Sequence, residues 1–317
     1  MKKALIIKLI GGLYTFIDLD TKKTMEGYAK GRFRKVRVDE ESSFNINVSA
    51  RTKKDIKDIV LSPKVGDIIN YEFQADQYVI TNILERKNEL IRPDIVNVDQ
   101  VLLIFSAIEP DFSFYLLDKF LVILEMENLK PVIVVSKISL LTEKAFKELK
   151  NKLKYYKKYY NIYYIDSKDN VGITELEKIF KDKITVLAGQ TGVGKSTFMN
   201  ALMPELNLKT QSISKALGRG KHTTRHLELF FYKEGYIADT PGFSKIELRI
   251  NDFNLLKDYY KDFNEVSNLC RFKNKCLHIN EPNCEVKRLV EKSYILKERY
   301  DNYLDFIDEI KNKKQIY

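Results

Sequence analysis

The sequence has no tryptophan, three cysteines and no long apolar run. So few cysteines, in an odd number, do not build a disulfide framework. Without a stretch of about 20 apolar residues, a membrane-spanning helix is not expected. The apolar stretch that follows Met1 is broken by Lys8 and has no small-residue cleavage site, so a signal peptide is not expected either. These absences predict a globular protein of the cytoplasm.

Positive charge is in excess. The chain has 54 Lys and Arg against 44 Asp and Glu among 317 residues, which gives a formal net charge of +10. Such an excess favours a polyanionic partner, because each phosphate neutralised by Lys or Arg releases counterions. A general lysine bias is the alternative, since Lys, Ile, Asn and Tyr are abundant throughout. On the basis of charge alone, nucleic-acid binding and a general lysine bias are equally favoured.

Residues 1–88 contain short β-forming stretches separated by turn residues, with no long helical period. The stretches are Leu5–Ile10, Tyr14–Leu19 and Lys35–Val38. A small β-barrel is the natural closure for such a set. Its segment Lys30–Arg37 has five cations in eight residues around Phe33. This pattern favours an RNA-binding surface, although cations that only protect an edge strand from aggregation would look the same.

From about residue 95, buried-type strands alternate with helical segments, which predicts a parallel sheet with right-handed crossovers. The predicted strands are Val101–Ala107, Pro131–Val135, Ile162–Ile165 and Ile184–Ala188, and the predicted helices are Phe114–Glu127, Thr142–Tyr156 and Thr174–Phe180. After about residue 246 the chain becomes largely helical, with an amphipathic segment at Ser293–Lys311. We therefore expect three domains, at residues 1–88, 89–245 and 246–317.

A phosphate-binding loop follows the fourth predicted strand and precedes a predicted helix, Ser196–Leu202. The loop fits G-x-x-x-x-G-K-[ST] and consists of Gly189, Gln190, Thr191, Gly192, Val193, Gly194, Lys195, Ser196 and Thr197. In this pattern the backbone amides wrap the β-phosphate, the lysine contacts the β- and γ-oxygens, and the serine hydroxyl ligates Mg²⁺. The alternative, a turn that has this composition by chance, is disfavoured because the segment lies between a predicted strand and a predicted helix. The loop predicts a Mg²⁺-dependent nucleoside triphosphatase.

Two segments downstream of the loop fit the same chemistry. Asp239 ends a predicted strand and is followed by Thr240, Pro241 and Gly242; an Asp so placed holds Mg²⁺ through water, and the glycine amide contacts the γ-phosphate. Between the two elements, Gly218–Arg225 is a cationic segment in which Thr224, or alternatively Thr223, would reach Mg²⁺. Each segment alone could be an ordinary loop, but their order and spacing favour the functional interpretation.

The D-x-x-G pattern favours GTP over ATP, yet no base-reading motif follows it. Instead Ser136, Lys137, Ile138 and Ser139 end the second predicted strand, in the place of N/T-K-x-D. Ser167 and Lys168 follow the third strand, in the place of S-A-K. Both precede the phosphate loop, and such an order requires a circular permutation.

All three cysteines lie within fifteen residues, together with one of three histidines. The set is Cys270, Cys276, His278 and Cys284. Three thiolates and one imidazole suit tetrahedral Zn²⁺, whereas a cytosolic disulfide would leave one thiol over. Buried inert cysteines are the alternative, but random placement rarely clusters every cysteine. We expect one structural zinc ion, with no ligand position left for a catalytic water.

Together these features resemble the RsgA (YjeQ) family, GTPases that depend on the small ribosomal subunit. The resemblance covers nearly the full length and includes Lys30–Arg34, Pro63–Asp67, Arg86–Pro93, Asn97–Gln100, the phosphate loop, Arg219–Thr224, Asp239–Phe243 and the zinc cluster. It implies an OB-fold, a circularly permuted GTPase domain and a helical zinc-binding domain. It also implies a monomer that binds the 30S subunit and its 16S rRNA and assists late subunit maturation. GTP hydrolysis to GDP and phosphate would be stimulated by that subunit.

The resemblance also assigns catalytic roles, to Lys195, His222, Thr224, Asp239 and Gly242. Members have a hydrophobic residue in place of the catalytic glutamine after D-x-x-G, and Phe243 matches it here. Another group must then orient the attacking water, and His222 is the candidate. A histidine that faces rRNA or solvent is an equally weighted alternative.

One departure concerns guanine. Where the family has the aspartate of N/T-K-x-D, which accepts two hydrogen bonds from the base, this chain has Ser139, and Asp166 precedes Ser167 where S-A-K begins. Hydrogen bonds to a charged group contribute about 1.5–3 kcal/mol each, so a serine in that place predicts guanine selectivity lower by about one to two orders of magnitude. The alternative function is therefore a ribosome-binding factor with relaxed selectivity or negligible turnover. An unrelated ATPase or kinase does not account for the barrel and the zinc cluster.

Overall fold

The computed structural model describes residues 2–30, 35–36, 59–60, 62–90, 93–206, 227–239, 248, 250 and 252–314. Strands form where β-branched and aromatic residues cluster. They are β1 Lys2–Ile10, β2 Leu13–Asp18, β3 Thr24–Ala29, β4 Lys35–Val36, β5 Ile59–Val60, β6 Ile68–Gln74, β7 Gln77–Ile83, β8 Glu89–Leu90, β9 Ile95–Val96, β10 Gln100–Ser106, β11 Pro131–Ser136, β12 Asn161–Tyr164, β13 Ile184–Ala188, β14 Glu228–Tyr232 and β15 Gly235–Asp239. The helices are α1 Phe114–Met126, α2 Glu143–Tyr156, α3 Ile173–Glu177, α4 Lys195–Leu202, α5 Lys261–Ser267, α6 Glu285–Glu291 and α7 Lys297–Lys314.

Capping and backbone geometry explain where helix boundaries differ from the predicted ones. Thr142 has an extended backbone, and its side chain accepts a hydrogen bond from the Ala145 amide, so α2 begins one residue later than predicted. The predicted segment Ser293–Lys311 does not form one helix. Ser293 adopts a left-handed φ of 58°, and the long helix α7 begins only at Lys297.

Two units are distinguished by their internal contacts. The first comprises Met1–Asp99, Phe180–Val186 and Lys221–Gly242. Its strands β1, β2, β3, β7 and β6 pair in that order, and β6 returns to pair with β1, which closes a five-stranded barrel. Strand β3 pairs with β7 in parallel, while the other pairs of the ring are antiparallel. The predicted OB-fold is confirmed.

Buried and more exposed side chains alternate along the barrel strands, so apolar side chains fill the barrel interior. Ile6, Phe16, Ile69 and Ile80 are fully buried, and the tilted rings of Tyr71 and Phe16 lie 5.1 Å apart between their centroids. The barrel's polar anchor is Asp67, whose two carboxylate oxygens accept 2.8 Å hydrogen bonds from the Arg86 guanidinium. Because both side chains are buried, this pair fixes the chain that leaves the barrel after β7.

The second unit comprises Gln100–Ile179, Leu187–Gly220 and Phe243–Tyr317. In this unit β12, β11 and β10 are neighbours in that order, and the three strands are parallel in continuous register. Every residue of β10 and β11 is buried, as expected for a parallel sheet covered on both faces. The predicted α/β arrangement is confirmed, and the carboxyl ends of the three strands lie at one edge. In the described part of the chain, no helix is long and apolar enough to cross a bilayer.

A buried guanidinium joins α1, α5 and α7. Arg299 donates to the Asp262 carboxylate at 2.8 and 3.0 Å and also donates to Asp118. Tyr155 donates to Asp262 at 2.6 Å, and Tyr156 donates to Asp118 at 3.0 Å. The charged and hydroxyl groups of this network are therefore satisfied by one another.

We predict that Arg299→Leu lowers the free energy of unfolding by about 3–5 kcal/mol, because two buried carboxylates lose their counterion. Urea unfolding followed by circular dichroism measures the change. The control is Lys297→Leu on the same helix, which removes an exposed pair with Asp301 and should cost at most about 1 kcal/mol. Equal losses in the two variants would contradict a stabilising role for the network.

Candidate functional site

The phosphate loop leaves β13 and enters α4 through glycines whose backbone no other residue would adopt at low cost. Gly189 has φ 140°, and a Cβ there would lie 2.1 Å from the carbonyl oxygen of Ile104 in β10. Gly194 has φ 94° immediately before α4. The chain therefore turns tightly against the sheet, and the loop ends at a helix amino terminus. Such a terminus favours bound phosphate through its free amides and its dipole.

Lys195 extends over the loop from the first residue of α4. Its ammonium donates to the carbonyl oxygens of Gly189 at 2.6 Å and Gln190 at 2.7 Å. The charge is thereby held at the centre of the loop. Ser196 and Thr197 follow on the first turn of α4, and both residues are partly exposed.

Ser136 connects the base-side strand to the phosphate loop. Its hydroxyl, at the end of β11, donates to the carbonyl oxygen of Val193 at 2.7 Å. Ser136 and Val193 are both buried. The predicted position of Ser136 near the base stays a prediction, and the structure shows that its hydroxyl is bonded to the phosphate loop. Lys137 adopts a left-handed φ of 59°, and its ammonium donates to the backbone carbonyl of Glu109, in the segment after β10.

Ser139 contacts a carboxylate that the sequence analysis did not associate with it. Its hydroxyl donates to Asp166, which lies just after β12. Burial alone would raise the pKa of Asp166, but hydrogen bonds from the Ser139 hydroxyl and the Lys168 amide hold it below the usual value. Ser167 is partly exposed and Lys168 is exposed beside it. No spacing rule could have found this pair, because 27 positions separate its members.

Several expected site residues fall outside the described part of the chain. They are His222, Thr223, Thr224, Thr240, Gly242 and Phe243. Asp239 is described by its backbone, as the last residue of β15, where it pairs with Glu228 of β14. Its predicted position at a strand end is therefore confirmed, while the contacts expected of these residues stay predictions.

The predicted zinc ligands come together. The ligand atoms of Cys270, Cys276, His278 and Cys284 all lie within 4.8 Å of one another. The Sγ atoms of Cys270 and Cys284 are 4.0 Å apart, and His278 Nδ1 is 3.3 Å from Cys284 Sγ. Tetrahedral zinc with Zn–S bonds of about 2.3 Å places sulfurs about 3.8 Å apart. The four residues therefore fit a zinc ion, with Nδ1 as the imidazole ligand atom.

The surroundings of this cluster favour a metal over free thiols. All four residues are at least 95% buried. Burial lowers the pKa of His278 to about 4, which keeps the imidazole in the neutral form that binds metals. Burial raises the pKa of Cys284 to about 12, so a buried thiolate needs a cation beside it. The Glu285 amide also donates to Cys270 Sγ at 3.3 Å.

The loop that carries His278 is held by groups that the sequence did not single out. The Glu281 carboxylate accepts from the amides of Leu277 and Ile279, both at 2.8 Å. From α7, Tyr300 donates to the His278 carbonyl at 2.7 Å, and Tyr303 donates to the Leu277 carbonyl at 2.6 Å. These bonds hold the backbone of the loop on both sides of the imidazole.

The family model "RsgA GTPase" matches residues 83–249, which include the phosphate loop and both base-side segments. The chain belongs to the RsgA GTPase family. Among named relatives, a small ribosomal subunit biogenesis GTPase RsgA of Phytoplasma mali is 48% identical over 316 residues, covering 100% of this chain and 98% of the relative. One of Bacillus velezensis is 41% identical, covering all of both chains.

Solved structures agree with this membership. The crystal structure of YloQ, described as a circularly permuted GTPase, matches with a TM-score of 0.78 and 35% identity, covering 99% of this chain and 96% of that one. YjeQ from Thermotoga maritima matches with a TM-score of 0.77 and 30% identity, covering 98% of each chain. The predicted permutation and the predicted family are confirmed. The alternative of relaxed or negligible turnover gains no better support from these relatives.

We predict that the purified chain holds about one zinc ion and that Cys284→Ser loses it, because three remaining ligands leave one metal position open. Elemental analysis after extensive dialysis measures the ratio. Lys275→Ala is the matched control, since this lysine lies between Cys270 and Cys276, is exposed and is not among the four ligands. A metal-free wild type with three titratable thiols would overturn the assignment.

Proposed function

We propose that this RsgA-family GTPase binds the small ribosomal subunit and assists its late maturation, hydrolysing GTP to GDP and phosphate when the subunit stimulates it. The observation that carries the proposal is the phosphate loop at the β13–α4 junction, with the base-side strands β11 and β12 ahead of it in the chain. The names of relatives that match over full length support the ribosomal partner.

Residue roles follow as part of the proposal. Lys195 and the amides of Gly192–Lys195 hold the phosphates, and Ser196, Thr224 and Asp239 serve Mg²⁺. The Gly242 amide contacts the γ-phosphate, and His222 orients the attacking water. The order of these residues along the chain and their match to the family pattern support these assignments.

The barrel is proposed as the 16S rRNA-binding surface. Lys30 is exposed directly after β3, and Tyr28 on that strand is 50% exposed. Phe73 on β6 is 61% exposed. Exposed aromatic rings and cations on one barrel suit RNA, because bases stack on the rings while the cations neutralise phosphates. Arg32 and Arg34, which extend the cationic run, lie outside the described residues.

Three further statements belong to the proposal. The chain divides functionally into an RNA-binding barrel at residues 1–88, a permuted GTPase domain at 89–245 and a zinc-binding domain at 246–317. It acts as a monomer, since one GTPase site and one barrel suffice for one subunit. Its place is the cytoplasm, where small subunits mature.

We predict that Lys195→Ala lowers subunit-stimulated GTP turnover by about 10²–10³-fold, because a cation aimed at the transferring phosphoryl group is lost. Phosphate release with and without 30S subunits measures it, and wild-type GTP turnover should exceed ATP turnover at least about tenfold. Lys178→Ala, an exposed lysine after α3, is the control. Wild-type GTP turnover that is the same with and without 30S subunits would refute the proposed function.

Replacing Lys30, Arg32 and Arg34 together by alanine should weaken 30S binding. The slope of log affinity against log salt should flatten by about 2–3, because each lost phosphate contact removes about 0.7–0.9 of slope. Sedimentation binding at several salt concentrations gives both quantities.

The control for this triple variant removes the same charge elsewhere. Lys144, Lys147 and Lys154 are exposed on α2, and their replacement should leave the slope near the wild-type value. If both triple variants behave alike, the effect is one of net charge and the barrel segment is not in the interface.

A further inference from the structure

Ser139 and Asp166 form a pair at the edge of the sheet where loops of parallel strands meet. Strands β11 and β12 run side by side with Val135 opposite Tyr164. Beyond them, the Ile138 amide approaches the Ile165 carbonyl at 3.5 Å. This pairing fixes the short turn Ile138–Leu140 against the start of the loop after β12. It brings the Ser139 hydroxyl onto the Asp166 carboxylate.

The two members of the pair differ in exposure. Asp166 is only 5% exposed, whereas Ser139 lies at the surface. The carboxylate also accepts from the Lys168 amide at 3.0 Å, and the hydrogen bonds it receives keep its pKa below the usual value. A buried carboxylate so well supplied with donors stays ionised and in place. The exposed group that a ligand meets first is the Ser139 hydroxyl.

The direction of the hydrogen bond decides what Ser139 offers to a ligand. A hydroxyl has one donor and two acceptor lone pairs. Because an ionised carboxylate can only accept, the Ser139 proton is committed to Asp166. Both lone pairs of the Ser139 oxygen then remain for outside donors, and the neighbouring negative charge strengthens them as acceptors. Pairing with Asp166 therefore fixes the direction of the two acceptor lone pairs, whereas in a free serine they turn with the rotating proton.

The pair follows the two strands whose ends are expected to face the base. Ser136, three residues before Ser139, is bonded to the phosphate loop through the Val193 carbonyl. Lys137, between them, reaches the Glu109 carbonyl in the neighbouring loop. The turn that presents Ser139 is therefore tied at one end to the loop that binds the phosphates.

We propose that Ser139 and Asp166 together read guanine in this chain: the Ser139 oxygen accepts from the N1–H and the 2-amino group of the base, and Asp166 orients the hydroxyl by holding its proton. The proposal rests on the proposed function, since it specifies the base of the triphosphate. Ser139 is the residue that touches the base, and Asp166 is a positioning residue. Together they take the place of the single aspartate of N/T-K-x-D.

Equilibrium titration with GTP, ITP and ATP tests the pair, because ITP lacks only the 2-amino group. The wild type should bind GTP about tenfold or more tightly than ITP, as expected for a hydrogen bond assisted by charge. Ser139→Ala and Asp166→Asn should both reduce this ratio to about 1–2, with ATP affinity unchanged within about twofold. Unchanged ATP affinity confirms that the phosphate loop is still folded.

The reciprocal exchange gives the sharpest result. Ser139→Asp combined with Asp166→Ser places the carboxylate where the family has it, with a hydroxyl donor behind it. This double variant should recover the wild-type GTP:ITP ratio, whereas Ser139→Asp alone places two carboxylates together and should not. Asp169→Asn, an exposed acid three residues from Asp166, is the matched control and should leave the ratio unchanged.

Each remaining outcome counts against the proposal. If Ser139→Ala keeps the wild-type ratio while Asp166→Asn loses it, the carboxylate reads the base directly and Ser139 does not. If neither substitution changes the ratio, or the wild type binds GTP and ITP equally, the pair has only a structural role. These binding ratios do not depend on turnover, so a failure of subunit-stimulated hydrolysis would refute the proposed function separately.

Discussion

The buried guanidinium of Arg299 is the interaction on which the second unit depends. It neutralises two carboxylates, Asp118 and Asp262, that lie on helices far apart in sequence. Two buried acids without a counterion would be costly, so α1, α5 and α7 can pack only in the arrangement that brings all three charges together. Since α1 follows the first strand of the GTPase sheet, the network places the carboxy-terminal helices on that sheet. The zinc loop is fixed in turn, through the tyrosine hydroxyls of α7.

The sheet also explains why a permuted order of motifs produces an ordinary nucleotide site. Loops that follow parallel strands meet at the carboxyl edge regardless of the order in which the chain visits the strands. Here β10, β11 and β12 come first along the chain. Strand β13 comes later and leads into the phosphate loop. The Ser136–Val193 hydrogen bond spans this separation in sequence, because it ties the end of β11 to the phosphate loop.

The elements that the sequence predicted well are those with local causes. The phosphate loop follows from glycines whose backbone freedom the turn requires, and the zinc cluster follows from short spacing between ligands. The barrel follows from alternation and turn residues. The predicted helix ends were less accurate. Each end depends on a single residue, such as the cap Thr142 or the left-handed Ser293.

Contacts made by tertiary packing could not be predicted in this way. An arginine near the start of a helix is expected to face solvent. The burial of Arg299 becomes apparent only from the two acids that pack against it in the structure. The hydrogen bond between Ser139 and Asp166 could not be predicted either, because the two residues follow different strands. The register of β11 on β12 brings the two together, and register is not visible in the spacing of either motif.

The zinc cluster has one more consequence, for chemical labelling. Every thiol of the chain belongs to that cluster, and each is buried. A thiol-reactive dye therefore has no background site on the metal-loaded protein. A single cysteine introduced on the barrel or beside the phosphate loop would be addressable by itself, so distances and motions can be followed by fluorescence without first removing native cysteines. Uptake of additional dye would at the same time report that the metal has been lost.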